Sequence, residues 1–254
     1  MNFNYINKMD NNGQQRKPVI PIRSRRIMGD LRELLKDQLY EVFIHFDESD
    51  INHMIVMIRG QEGPYEFCQF LFHIRFSDDY PMSPPIVKFC SSDGKTRLNP
   101  NLYIEGRVCL SILGTWQGDP WTSVMTIKTV ILSIMALVMT REPLRNEPGM
   151  ESSPADKIEI YNQIVEYASL NILLNQINHP SEMFTPLLKN MKAQFIKDYP
   201  ALIEKVDRLI RSENNQKTVK ISYHSQTATL DYDSLKNNIQ TLYEIVSLES
   251  MSLE

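Results

Sequence analysis

Cysteine is scarce: there are three in 254 residues, at positions 68, 90 and 109. An odd trio cannot build a disulfide framework and fits a reducing compartment. No Cys-x-x-Cys pair and no paired His/Cys spacing points to zinc. Long apolar runs are missing too. The most apolar stretch, 130–139, is too short to span a bilayer. The first 20 residues are polar and rich in asparagine, without the apolar centre of a secretory signal. Charge is nearly balanced, with 27 basic against 31 acidic side chains and a formal net charge of −4. That balance argues against nonspecific binding of nucleic acid over the whole surface. The chain is therefore expected to be soluble and intracellular, cytoplasmic or nuclear. Neither nucleic acid nor a membrane is expected as a partner, and no cofactor or metal.

What remains is an ordinary globular composition, 42% apolar and 23% charged, in a length that suits one or two domains. A helix is predicted over 24–38, with Ile27, Leu31, Leu34 and Leu35 on one stripe. Four strands are predicted at 41–46, 54–59, 67–76 and 86–90. In the third, Cys68, Phe70, Phe72, Ile74 and Phe76 share one face, and Gln69, His73 and Arg75 the other. Cys68 reads as a core thiol. Short links between successive strands predict an antiparallel meander. Three prolines in Tyr80-Pro81-Met82-Ser83-Pro84-Pro85 make a stiff connector before the fourth strand. A helix at 126–139 reads as buried nearly all round, and another runs over 154–177. Beyond residue 180 two helical stripes meet at Pro200. A hairpin pattern follows (Val219, Ile221, Tyr223, then Ala228, Leu230, Tyr232), and a last helix carries Leu235, Ile239, Leu242 and Val246.

The stretch 98–127 is the irregular part, LNPNLYIEGRVCLSILGTWQGDPWTSVMTI. A long loop inside a compact domain tends to be functional. Cys109 lies between the Asn99-Pro100-Asn101 turn and a buried helix. Two readings stand beside each other: a nucleophile on a fixed platform, or a small core residue.

The order of these features resembles the ubiquitin-conjugating enzymes. It runs through a helix, a four-strand meander, Tyr80-Pro81-Met82-Ser83-Pro84-Pro85, Asn99-Pro100-Asn101, Val108-Cys109-Leu110, a tryptophan and the helix opening at Thr126-Ile127. The resemblance covers about 24–177. Cys109 through Trp116, with Asn146-Glu147-Pro148-Gly149, is most like the long Z-type members, which carry a C-terminal extension. The implied fold is α+β: an N-terminal helix, the sheet, an active-site loop, C-terminal helices and a mostly helical extension with a short hairpin. The polar stretch 1–20 reads as a disordered tail, and the resemblance implies a catalytic domain at 21–180 and the extension at 181–254.

The implied activity is acyl transfer. Cys109 accepts ubiquitin or a ubiquitin-like protein from an activating enzyme as a thioester and passes it to a lysine or to a ligase cysteine. Asn101 matches the asparagine assigned to oxyanion stabilisation or to bracing the loop; a residue that only caps the turn is the rival reading. Glu147 matches the acid that lines the gate for the incoming lysine, with Asp119 a weaker match. Ser111 stands where many relatives carry an acid. The family's usual His-Pro-Asn is here Asn-Pro-Asn. Arg25 and Arg26 match the face used for the activating enzyme. Met82, Ser123 and Val124 match the ligase-binding region, although the usual Trp-Ser-Pro is Trp121-Thr122-Ser123. No histidine falls near Cys109 in the pattern, which disfavours a Cys–His hydrolase. A noncatalytic ubiquitin-binding module on the same scaffold is the alternative.

Overall fold

In the computed structural model, residues 21–251 are described, apart from 48 and 214. The expected tail at 1–20 lies outside the described residues. Helix α1 (Ile22–Asp37) buries Ile27, Leu31 and Leu34. Leu35 stays half exposed, and the stripe is completed by buried Asp30, which bonds to Arg26 and to the Tyr80 hydroxyl.

Strands β1 (Val42–Asp47), β2 (Asp50–Arg59), β3 (Gln69–Arg75) and β4 (Ile86–Phe89) form one antiparallel sheet in sequence order. The register pairs Val56 with Phe72 and Met57 with Leu71. Phe70, Phe72 and Ile74 point into the core, as the alternation predicts. The opposite face is not the solvated one expected. Gln69 and Leu71 are buried there, as are Ile55 and Met57 of β2. Of the β3 residues on this face, only His73 and Arg75, at the far end, keep partial or full exposure.

The C-terminal segment covers that face. Helix α2 (Ile127–Ser133) ends in a π turn (Ile134–Val138). It is not buried all round, since Leu132 and Leu137 are exposed. Helix α3 (Ala155–Asn178) follows, then a short turn (Glu182–Leu187) and α4 (Leu188–Arg211). The Gln69 side chain donates to the Met191 carbonyl at 2.9 Å. Arg59 grips Asp198 with two hydrogen bonds of 2.6 and 2.9 Å and reaches Glu41 at 2.5 Å. Lys205 meets Glu166 of α3 at 2.8 Å. Burial works against its ammonium, yet the Glu166 carboxylate outweighs this and holds Lys205 above its ordinary pKa.

Pro200 does not break α4. It sits on the exposed side, where water can take the carbonyl left without a donor, while Phe195 and Leu202 stay buried on either side of it. Strands β5 (Lys217–Lys220) and β6 (Thr227–Leu230) make the expected hairpin, with Tyr223 in its connector rather than in a strand. Helix α5 (Tyr232–Met251) packs on α4 and α3, with Tyr199 stacked on Tyr243 and Tyr167 edge-on to Tyr232. Helix α3 is thus enclosed between the sheet region and the C-terminal segment. That position explains its many buried residues and the lack of a single apolar stripe.

Candidate active site

The segment 98–109 is a small folded unit of its own. Asn99 is fully buried. Its amide nitrogen donates to the Tyr65 hydroxyl at 2.9 Å and to the Val138 carbonyl at 2.6 Å, and its side-chain oxygen accepts the Asn101 N–H at 2.7 Å. The last contact closes an Asx turn through Pro100. Isolated bridges pair Asn99 with Leu102 and Leu102 with Val108. Gly106 turns the chain back at φ 102°, and a Cβ there would stand 2.7 Å from the Phe89 carbonyl oxygen. Only glycine fits that close approach without displacing β4.

Cys109 is held from two sides. Its N–H donates to the Asn101 carbonyl at 2.8 Å, and its own carbonyl accepts from the Asn101 amide at 2.7 Å. Downstream, the Thr115 hydroxyl accepts the Leu110 N–H at 3.0 Å and donates to the Val108 carbonyl at 2.7 Å. The backbone on either side of the thiol is therefore fixed. Sequence reading passed over Thr115 because a single threonine in a loop carries no motif. Cys109 is 1% exposed, but it stands outside the contiguous hydrophobic core. Cys68 differs: it belongs to that core, and burial pushes its thiol up to about 12. Cys90 is partly buried, and its thiol is raised for the same reason.

Asn101 braces the loop through one amide hydrogen, and its oxygen is buried without a partner. The π turn ties the neighbouring loops together. Val138 accepts from Asn99, and the adjacent Leu137 carbonyl accepts from Asn146 at 2.9 Å. Asn146 precedes Glu147, so the 143–149 loop and the Asn-Pro-Asn turn share one anchor. Glu147 is partly buried, and its Oε2 accepts the Tyr223 hydroxyl at 2.9 Å. Asp119 is exposed. Ser111 opens a short turn (Ser111–Leu113), with Gly118 folded against it. The His53 and His73 rings bond to each other at 3.0 Å, and His224 stands against Tyr223.

A family profile described as Ubiquitin-conjugating enzyme matches residues 26–169. The chain belongs to the ubiquitin-conjugating enzyme family. It is 31% identical to Ubiquitin-conjugating enzyme E2 Z of Xenopus tropicalis, over 87% of this chain and 71% of that one. To Ubiquitin-conjugating enzyme E2 Z of Homo sapiens it is 36% identical, over 64% of this chain and 46% of the other. The chain thus spans under half of the human relative's length. Among solved structures, human Ubiquitin-conjugating enzyme E2 G1 is 28% identical over 47% of this chain and 96% of its own, with a TM-score of 0.41; the family assignment rests on the sequence matches.

The residues matched to the partner surfaces of ubiquitin-conjugating enzymes divide into two kinds. Arg25 is exposed, and so are Met82 and Val124. Arg26 is not a surface group in the same sense. Its guanidinium bonds Asp30 at 2.8 Å, the Ser123 carbonyl at 2.9 Å and the Met125 carbonyl at 2.7 Å. It fastens α1 to the 121–125 loop. Trp121 fastens the same loop to the proline connector, its indole N–H donating to the Pro81 carbonyl at 2.7 Å. Met82 and Val124 therefore project from two loops tied together by Trp121. Among the described residues, no helix is long and apolar enough to cross a membrane.

Proposed function

We propose that Cys109 takes the C-terminal carbonyl of ubiquitin or a ubiquitin-like protein from an activating enzyme as a thioester, and then releases it to a lysine amine or a ligase cysteine. The observation that carries this reading is the reciprocal pair of hydrogen bonds between Asn101 and the Cys109 backbone. A nucleophile on which a large carbonyl must land needs such a rigid seat.

In transfer to lysine, the neutral amine attacks the thioester carbon. The C–N bond forms, the C–S bond breaks and its electron pair stays on the Cys109 sulfur. The surplus amine proton passes to a carboxylate. Glu147 is our choice for that acceptor, since a partly buried carboxylate in a loop that shares its anchor with the turn can both orient an amine and take its proton. Asn101 keeps the loop in place, and its second amide hydrogen is of the right type to steady charge on the attacked oxygen. Loading requires the thiol to be uncovered. Beyond the Thr115 clamp, the stretch 116–120 is exposed and carries Gly118, so it is the part that can yield without disturbing the core.

We read 21–180 as the catalytic domain and 181–254 as an extension that has become part of its packing. Arg25 would face the activating enzyme, and Met82 with Val124 a ligase. Arg26 and Ser123 would support those surfaces from within. A reducing compartment, cytoplasm or nucleus, suits a working thiol.

The test is charging with ATP and a panel of activating enzymes and modifiers, read on nonreducing gels. One pair should give a reductant-sensitive adduct, and Cys109→Ser should make it reductant-resistant or abolish it. Normal charging of Cys109→Ala would refute the assignment.

A further inference from the structure

The connector of the β5–β6 hairpin reaches the candidate active site at two points. Tyr223 donates its hydroxyl to Glu147 Oε2 at 2.9 Å. The Gln226 side-chain oxygen accepts the Arg97 N–H at 2.8 Å. Arg97 in turn holds the turn itself: its guanidinium donates to the Asn99 carbonyl at 3.0 Å and the Pro100 carbonyl at 2.6 Å, and lies 3.4 Å from the centre of the Tyr103 ring. Tyr161 of α3 joins the two points, its hydroxyl on the Arg97 carbonyl at 2.7 Å and its ring edge-on to Tyr223. Tyr223 stays a donor through neutral and mildly alkaline pH, because burial and the Glu147 carboxylate raise its pKa. The connector is shaped for this reach. His224 and Ser225 both adopt left-handed backbone, at φ 49° and 52°, which lets Tyr223 and Gln226 point to the same side of the catalytic domain.

We propose that Tyr223 and Gln226 are positioning residues for the transfer step, by which the C-terminal segment completes the active site. This rests on Cys109 carrying the thioester and Glu147 receiving the amine proton. The Tyr223 hydroxyl holds Oε2 and so fixes the rotamer that presents Oε1 to the incoming amine. Gln226 fixes the backbone of Arg97, whose side chain seats the Asn99-Pro100 carbonyls and through them Asn101. The expected signature is selective: a carboxylate held askew slows attack by lysine but hardly slows hydroxylamine, whose weakly basic nitrogen arrives neutral and gives its surplus proton to water.

The test uses the full chain, charged at Cys109, in single-turnover discharge to free lysine and separately to hydroxylamine, which is neutral at pH 7. Tyr223→Phe should lower the maximal lysine rate about tenfold, the worth of one hydrogen bond to a charged group, with the half-saturating lysine concentration unchanged. Hydroxylamine discharge should stay within about twofold of wild type. Glu147→Gln should show the same pattern, and the double variant should be no slower than Glu147→Gln alone, because the two act as one unit. Wild-type lysine rates in Tyr223→Phe, with Glu147→Gln slow, would overturn the positioning role and leave the Glu147 reading standing. Wild-type rates in Glu147→Gln would overturn both. Equal loss toward lysine and hydroxylamine in Tyr223→Phe would mark a general fold defect and also overturn the proposal. If Tyr223→Phe melts below the assay temperature, Gln226→Ala takes its place: because it acts through the Asn101 loop that both nucleophiles share, an equal loss of about threefold toward lysine and hydroxylamine, measured below its own melting transition, supports the connector's role, and wild-type rates refute it.

Discussion

Helix α4 and the β5–β6 hairpin follow one another in the chain and meet residues 21–180 by different chemistry. Helix α4 lies across a sheet face and is fastened by buried charge, Asp198 on Arg59 and Lys205 on Glu166. The hairpin packs on α3 and touches two loops through single hydrogen bonds, from Tyr223 and to Gln226. A buried ion pair cannot lose one member cheaply, because the other charge is left in a poorly solvated place. A lone hydrogen bond at a loop contributes little to stability but decides where an atom points. The first contact is expected to govern folding and the second chemistry, and substitutions can separate them.

The largest effect is expected at Asp198→Ala. It leaves the Arg59 guanidinium with Glu41 alone and should cost about 3–5 kcal/mol. At roughly 2–4 °C per kcal/mol for a chain of this size, a calorimetric scan should show a fall of about 10 °C. Charging below the transition should keep its wild-type rate; a lost rate at an unchanged midpoint would invert the comparison.

Lys205→Met should cost somewhat less, about 2–4 kcal/mol, by leaving Glu166 unpaired. This contribution depends on pH. The pKa of Lys205 in the fold is raised, so its stabilisation is complete below the unfolded value of about 10.4 and is lost as pH climbs through the higher folded value. Melts from pH 7 to 11 should show wild type and Lys205→Met converging only at the alkaline end. A gap that stays constant through pH 11 would contradict the pairing.

Thr115→Val comes next. It strands the Leu110 N–H and frees the Val108 carbonyl, at about 1–3 kcal/mol. Because these groups flank Cys109, charging rate should fall more than the melting midpoint explains, by about tenfold at a temperature where the fold is intact. Gln226→Ala should be the mildest, about 1 kcal/mol in denaturant unfolding, with its consequence confined to transfer.

Much of this architecture was legible in the residues. The strands of the meander announce themselves by alternation, the hairpin and α5 by their apolar spacing, and the Asn-Pro-Asn turn by its residue types. The buried second face of the sheet was harder to see. Its sign is the unbroken run Ile55-Val56-Met57-Ile58 in β2, since a strand covered on both sides does not alternate. Gln69 looked like a solvated residue because a side chain that bonds a distant helix carbonyl has the same one-letter pattern as one that bonds water. Pro200 suggested a break, because local backbone rules do not include the anchoring of both helix halves by tertiary contacts. Arg26 looked like a docking charge for a similar reason: its three partners lie four residues away or nearly a hundred. At the site, Cys109 and Asn101 came from a compact motif. Thr115, Tyr223 and Gln226 matter only through geometry, and the last two reach their partners from far along the chain.

The most direct measurement is the chemical location of the bond. The charged species should be isolated without reductant, digested at acid pH and mapped by mass spectrometry. The account predicts the modifier's C-terminal remnant on the sulfur of Cys109, and on neither Cys68 nor Cys90. A remnant on one of those two, or on a lysine with Cys109 unmodified from the earliest time point, would contradict it.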